Sequence, residues 1–195
     1  MRRSRLLLLA FVAVAAMVWS RGVTYSAFSH SGSGSSNRFA AGTVNVGDND
    51  ANETMLRLTN AQPGAADTGC IRVSYTGTLP STLRLYATTS GAMAAHLQLT
   101  VTRGVDTTPQ FDTCEGFVPD TPDYLGQGQG VVYKGTLAAF PSAWGSAPAD
   151  PPSGAVESWA TGEVHSYRLS VTLGNDVAAK GTTASASFSW EARNQ

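Results

Sequence analysis

Nowhere does the sequence hold twenty consecutive apolar residues, roughly the length a helix needs to span a bilayer. Its longest apolar run, residues 6–19 (LLLLAFVAVAAMVW), stops at fourteen. Charge is scarce as well: Asp, Glu, Lys and Arg make up 14% of the chain, and no basic patch is interleaved with aromatics. A nucleic-acid partner is therefore not expected. The three histidines, His30, His96 and His165, form no H-E-x-x-H pair, so the usual zinc-hydrolase ligand set is missing. There is no G-x-S-x-G either; the nearest run, residues 31–35 (SGSGS), reads as linker. No internal repeat is seen, and no segment keeps a convincing helical period. These absences leave no catalytic motif, no cofactor and no metal to expect.

What is present begins with a leader. Arg2, Arg3 and Arg5 precede the short apolar run, and the small residues Gly22, Thr24, Ser26 and Ala27 follow it. This is the layout of a signal peptide, with cleavage expected between Ser26 and Ala27. The alternative is an uncleaved anchor closed by Arg21, the only route to a membrane. Loss of residues 1–26 removes four of the 13 basic residues and none of the 14 acidic ones, leaving a net charge of −5. Three segments follow: a signal peptide (1–26), a flexible lead (27–37, AFSHSGSGSSN) and one folded domain (38–195) long enough to bury a core.

Alternation with period two dominates that domain. Ile71, Val73 and Tyr75 point one way in residues 70–75, and Leu83 and Leu85 do so in 82–86. Leu97, Leu99 and Val101 repeat the pattern in 96–102, as do Tyr167, Leu169, Val171 and Leu173 in 166–173. In 183–190, Ala184, Ala186, Phe188 and Trp190 alternate with serines. Half-buried antiparallel strands read this way. Weaker strands are expected at 39–46, 54–58 and 131–137, the first bulged at Gly42. About eight strands punctuated by Gly, Pro, Asn and Asp indicate an all-β fold, an antiparallel jelly-roll or Ig-like sandwich. Residues 137–144 are expected to make one or two helical turns before Pro141. Loops at 105–130, holding GQGQG, and at 145–156 are long enough to be functional.

In an exported chain, Cys70 and Cys114 read first as a disulfide; two free thiols or a two-cysteine metal site are the alternatives. Glu163 and His165 share a strand face, but two ligands are too few for a metal site. The acidic stretch 48–53 offers oxygen ligands at alternate positions without an EF-hand pattern, and reads better as a polar turn. Asn52-Glu53-Thr54 is a glycosylation sequon. Trp144 and Trp159 flank the Pro-rich loop and could form an exposed ligand-contact patch, or clasp the loop to the sandwich. Trp190 continues a core alternation.

Several segments resemble one family in shared order. Residues 24–28 (TYSAF) followed by 39–46 (FAAGTVNV) resemble the start of the TasA and camelysin family, where a signal peptide cut by a dedicated peptidase precedes a polar lead and a Phe-x-x-Gly-Thr strand. Residues 60–64 (NAQPG) are similar to its Asn-Leu-x-Pro-Gly turn. Gly162-Glu163 before SYRLSVTL resembles its Pro-Gly-Glu strand entry, with Thr161 in place of Pro. Lys180-Gly181 and ASFSWEA resemble its closing strand, with Trp190 for the second Phe. The usual members lack cysteines, and the two long loops match nothing in the family. The resemblance implies a secreted jelly-roll subunit of the extracellular matrix or cell surface. Its best-known member builds biofilm fibres by donor-strand complementation, a head-to-tail self-assembly with other matrix or envelope components as further partners. Ala27, Phe28, Ser29 and His30 would then belong to the donor strand. A surface module that binds a glycan or a protein is the alternative. Camelysin-like members have been described as metallopeptidases, a less favoured reading here.

Overall fold

The computed structural model describes residues 29–31, 43–152 and 157–194, the first three by backbone alone. Their strands are β1 (Ser29–Ser31), β2 (Val46–Asp48), β3 (Ala66–Tyr75), β4 (Ser81–Ser90), β5 (Leu97–Asp106), β6 (Phe117–Pro119), β7 (Val131–Thr136), β8 (Val164–Leu173) and β9 (Ser185–Asn194). All pairings are antiparallel. One sheet runs β1-β9-β4; the other runs β2-β3-β8-β5-β6, with β7 also on β5. The chain changes sheet from β3 to β4, from β4 to β5 and from β8 to β9, so consecutive strands enclose a shared interior. Ile71, Val73 and Tyr75 of β3 meet Leu83 and Leu85 of β4, Leu99 and Val101 of β5, and Tyr167 and Leu169 of β8 in one core. The all-β antiparallel sandwich follows from the alternation that placed these residues on one face.

Three departures have local causes. Residues 54–58 form no strand: the Arg57 N–H goes to the Asp67 carboxylate rather than to a ladder, while Met55 leans over Gly69, where an added Cβ would lie 2.3 Å from Met55 Cγ. Of 39–46, Val46 opens β2; residues 43–45 bond instead to the turn at Thr76 and Thr78, and Gly42 lies outside the described residues. Within 137–144 the helical structure is one 3-10 turn, Leu137–Ala139, closed at Phe140.

The 105–130 loop is organised rather than open. It contributes β6, and Cys70 on β3 is disulfide-bonded to its Cys114, with a Cα–Cα distance of 5.1 Å. Gly126, Gly128 and Gly130 adopt φ of 69°, 121° and 69°, values open to glycine. They let the GQGQG run curl around Asp123, whose carboxylate accepts the Gln127 N–H at 2.8 Å.

Candidate functional site

Among the described residues, β9 is paired along its whole length on one side only. On one side it pairs with β4 along its whole length, from Ser185 opposite Ser90 to Asn194 opposite Ser81. On the other side, β1 covers only its last turn of ladder: Ser29 lies opposite Arg193, His30 opposite Ala192 and Ser31 opposite Glu191. Among the described residues, no strand partner continues β1 along positions 185–190. Burial falls along the same stretch. Trp190 is buried, Phe188 half-buried and Ala186 exposed, although all three share the core-facing parity of the strand.

Beside residues 184–190 lies a groove of about 460 Å³, lined by Ile71, Leu97, Phe188 and Trp190 and by residues 53–58. A sheet edge without a partner presents unpaired backbone N–H and C=O groups.

A second constellation closes the opposite end of the core. Arg103 sits at the inward parity of Leu97, Leu99 and Val101 on β5 and is 3% exposed. Its Nη1 donates to Asp120 Oδ2 at 3.0 Å and to the Tyr124 hydroxyl at 3.1 Å. Its Nη2 donates to Glu157 Oε2 at 2.8 Å and lies 2.7 Å from His165 Nε2. Its Nε is 3.5 Å from Asp150 Oδ2. Burial alone would pull the guanidinium down, but Asp150, Tyr167, Glu157 and Asp120 outweigh it and raise Arg103 above its ordinary value. Burial pushes the Asp150 carboxyl up to about 6 against the opposing pull of Arg103 and the Tyr167 hydroxyl. The Tyr124 hydroxyl, desolvated and bonded to Asp120, is pushed up to about 12. The cluster anchors both described sides of the 145–156 loop, through Asp150 and Glu157.

The residues expected from sequence are distributed unevenly over these features. Ser26, Ala27 and Phe28 lie outside the described residues, as does the leader. Ser29 and His30 lie on the chain's own β9 edge. Trp144 is half-buried, with the Arg84 and Arg193 guanidiniums 4.9 and 4.5 Å from its ring centroid. Trp159 is fully buried, bonded through its backbone to Ser81 in both directions, and its ring stands 4.8 Å from that of His165. It offers no face to a ligand, so the paired-tryptophan patch does not exist and the loop-clasp alternative describes both rings. Arg103 gave one readable signal, a charge at an inward position of an apolar alternation. Glu157 gave none, and it joins Glu163 and His165 in space.

Compared with known proteins, the chain matches no family model and no curated protein.

Proposed function

We propose that the protein is a secreted structural subunit of TasA/camelysin type, which assembles head-to-tail into an extracellular fibre or matrix when the lead of one copy occupies the β9 edge of the next. The supporting observation is the β9 edge, which among the described residues is paired beyond β4 only at 191–193, beside an apolar groove. Three residues of the lead pair with one end of this edge in cis, the kind of ladder that a lead from another molecule would form. Strand addition gains about 0.5–1.5 kcal/mol net per backbone hydrogen bond. Specificity then rests on the inward side chains. Sliding the donor four residues from the register of β1 preserves its faces and sets Phe28 opposite Trp190. Because donor and acceptor surfaces differ, the contact is heterologous and propagates as a filament.

This reading assigns the protein no catalysis and no nucleic-acid partner. A glycan-binding surface module is less well supported, since Trp159 is enclosed. Electron microscopy of the chain beginning at Ala27 is expected to show fibres. A variant lacking residues 27–37 is expected to stay folded and monomeric, and fibres from that variant would overturn the mechanism.

A further inference from the structure

Two asparagines that flank β2 are engaged by the fold. Asn45 Nδ2 donates to Thr76 Oγ1 at 2.7 Å, and Asn49 Oδ1 accepts the Arg72 N–H at 2.9 Å. Asn52 is used differently. Its backbone N–H goes to Asp50 Oδ1 at 2.8 Å. Among the described residues, its side-chain amide bonds to nothing, and neither does the hydroxyl of Thr54.

A tight turn carries that amide outward. The Glu53 N–H donates to the Asp50 carbonyl at 2.8 Å. Between them, Ala51 and Asn52 have φ of 51° and 65°. Positive φ at both central residues is the mark of a type I′ turn, with Asn52 at its tip. Residues 51–54 are all exposed and belong to no strand. The segment can therefore open into an enzyme cleft at the loss of local hydrogen bonds, with no ladder broken. Asp50, Glu53 and Thr54 also line the groove beside β9.

Asn52-Glu53-Thr54 is the sole Asn-x-Ser/Thr sequence in the chain, and Asp50 stands two places before the asparagine. We infer that Asn52 is the acceptor of an N-linked oligosaccharide on the exported chain, supplied by a polyprenyl-diphosphate donor through an oligosaccharyltransferase. Asn52 Nδ2 forms the new bond to the anomeric carbon of the sugar, whose C–O bond to the diphosphate breaks. The polyprenyl diphosphate leaves with that electron pair, and one amide proton passes to a base of the transferase. The Thr54 hydroxyl gives the transferase a hydrogen-bonding handle, and the Asp50 carboxylate gives it a charged one. The product is a bulky, solubilising group on a surface turn. The inference rests on export, which the proposed function includes, and not on fibre assembly.

The test incubates the folded exported chain, beginning at Ala27, with a purified single-subunit oligosaccharyltransferase and a polyprenyl-diphosphate oligosaccharide. Intact mass is expected to rise by one oligosaccharide per chain, carried on the peptide that contains Asn52. Asn52→Gln and Thr54→Val are each expected to abolish transfer, while Asn60→Gln, at another exposed position, leaves it unchanged. Asp50→Asn keeps the acceptor oxygen of the turn and removes only the charge. It is expected to slow transfer about tenfold, the loss of one charge-assisted contact. The same added mass is expected on the chain secreted by the organism that makes it. Failure of export would show separately as a retained leader, and the purified reaction then decides the acceptor by itself. Transfer to the urea-unfolded chain alone, transfer that persists in Thr54→Val, or a secreted chain of unmodified mass would overturn the site.

Discussion

The hydroxyl of Tyr167 on β8 donates a hydrogen bond to the carboxylate of Asp150 inside the closed end of the sandwich. Both side chains are enclosed, and Arg103 approaches the same carboxylate oxygen. The bond ties the loop before β8 to β8 itself, and it makes that tie sensitive to protons.

Asp150 titrates near 6 in the folded protein against an ordinary value of 3.8. The native state therefore takes up this proton at a higher pH than the unfolded chain does. The group's contribution opposes folding above pH 6, by roughly 2–3 kcal/mol, and is relieved as pH falls from 6 toward 4. Urea unfolding at pH 7.5 and pH 5 is expected to show this component in the wild type and not in Asp150→Asn. Tyr167→Phe should cost about 1.5–3 kcal/mol at pH 7.5, where the lost bond is to an ionised carboxylate, and less at pH 5.

The two tryptophans around the Pro-rich loop should behave differently. Trp159 is fully enclosed, so Trp159→Ala is expected to destabilise by about 3–5 kcal/mol. Trp144 is half-buried beneath two arginines, contacts of about 0.5–1 kcal/mol each near the surface. Trp144→Ala is expected to cost less than half as much as Trp159→Ala. Chemical denaturation of the two variants makes the comparison.

Reduction of Cys70–Cys114 releases a closure spanning a sequence separation of 44. The chain-entropy relation puts the loss at about 4 kcal/mol. The Cys70 side is 2% exposed, so thiol titration of the native protein should remain near zero in mild reductant and rise only as the chain unfolds. The Cys70→Ala/Cys114→Ala double variant should show the lowered stability without reductant.

Ala186 faces the groove and is exposed. Ala186→Glu sets a charge where a donor's apolar side chain would settle, so it is expected to abolish fibres seen by electron microscopy. Its effect on monomer stability should stay within about 0.5 kcal/mol, because surface changes rarely cost more.

The strands buried on one face were the most legible. Ile71, Val73 and Tyr75, and Tyr167, Leu169 and Val171, alternate without interruption, and each set lies in the core. Legibility failed where one residue's environment depends on distant segments. Arg103 is enclosed by Asp120, Asp150 and Glu157, and none of these lies in a patterned segment. Residues 54–58 read as a weak strand, but a local pattern cannot show that Asp67 intercepts the Arg57 amide. β6 has three residues with mixed burial, too few for a period to register. Trp159, outside any patterned segment, is held at the core by a two-way backbone bridge with Ser81. Of the proposed assembly site, the lead was visible as composition, whereas the exposure of Ala186 on β9 was not, since Ala184 to Trp190 read as an ordinary buried face.

The antiparallel pairing of β1 with β9 bears on how a polymer would carry load. If a lead from the next subunit takes that place, tension along the filament pulls the donor parallel to its neighbour. Every rung is then sheared at once instead of being unzipped singly. Such a joint yields at high force and gives little warning extension, the mechanical character of a cable rather than a spring.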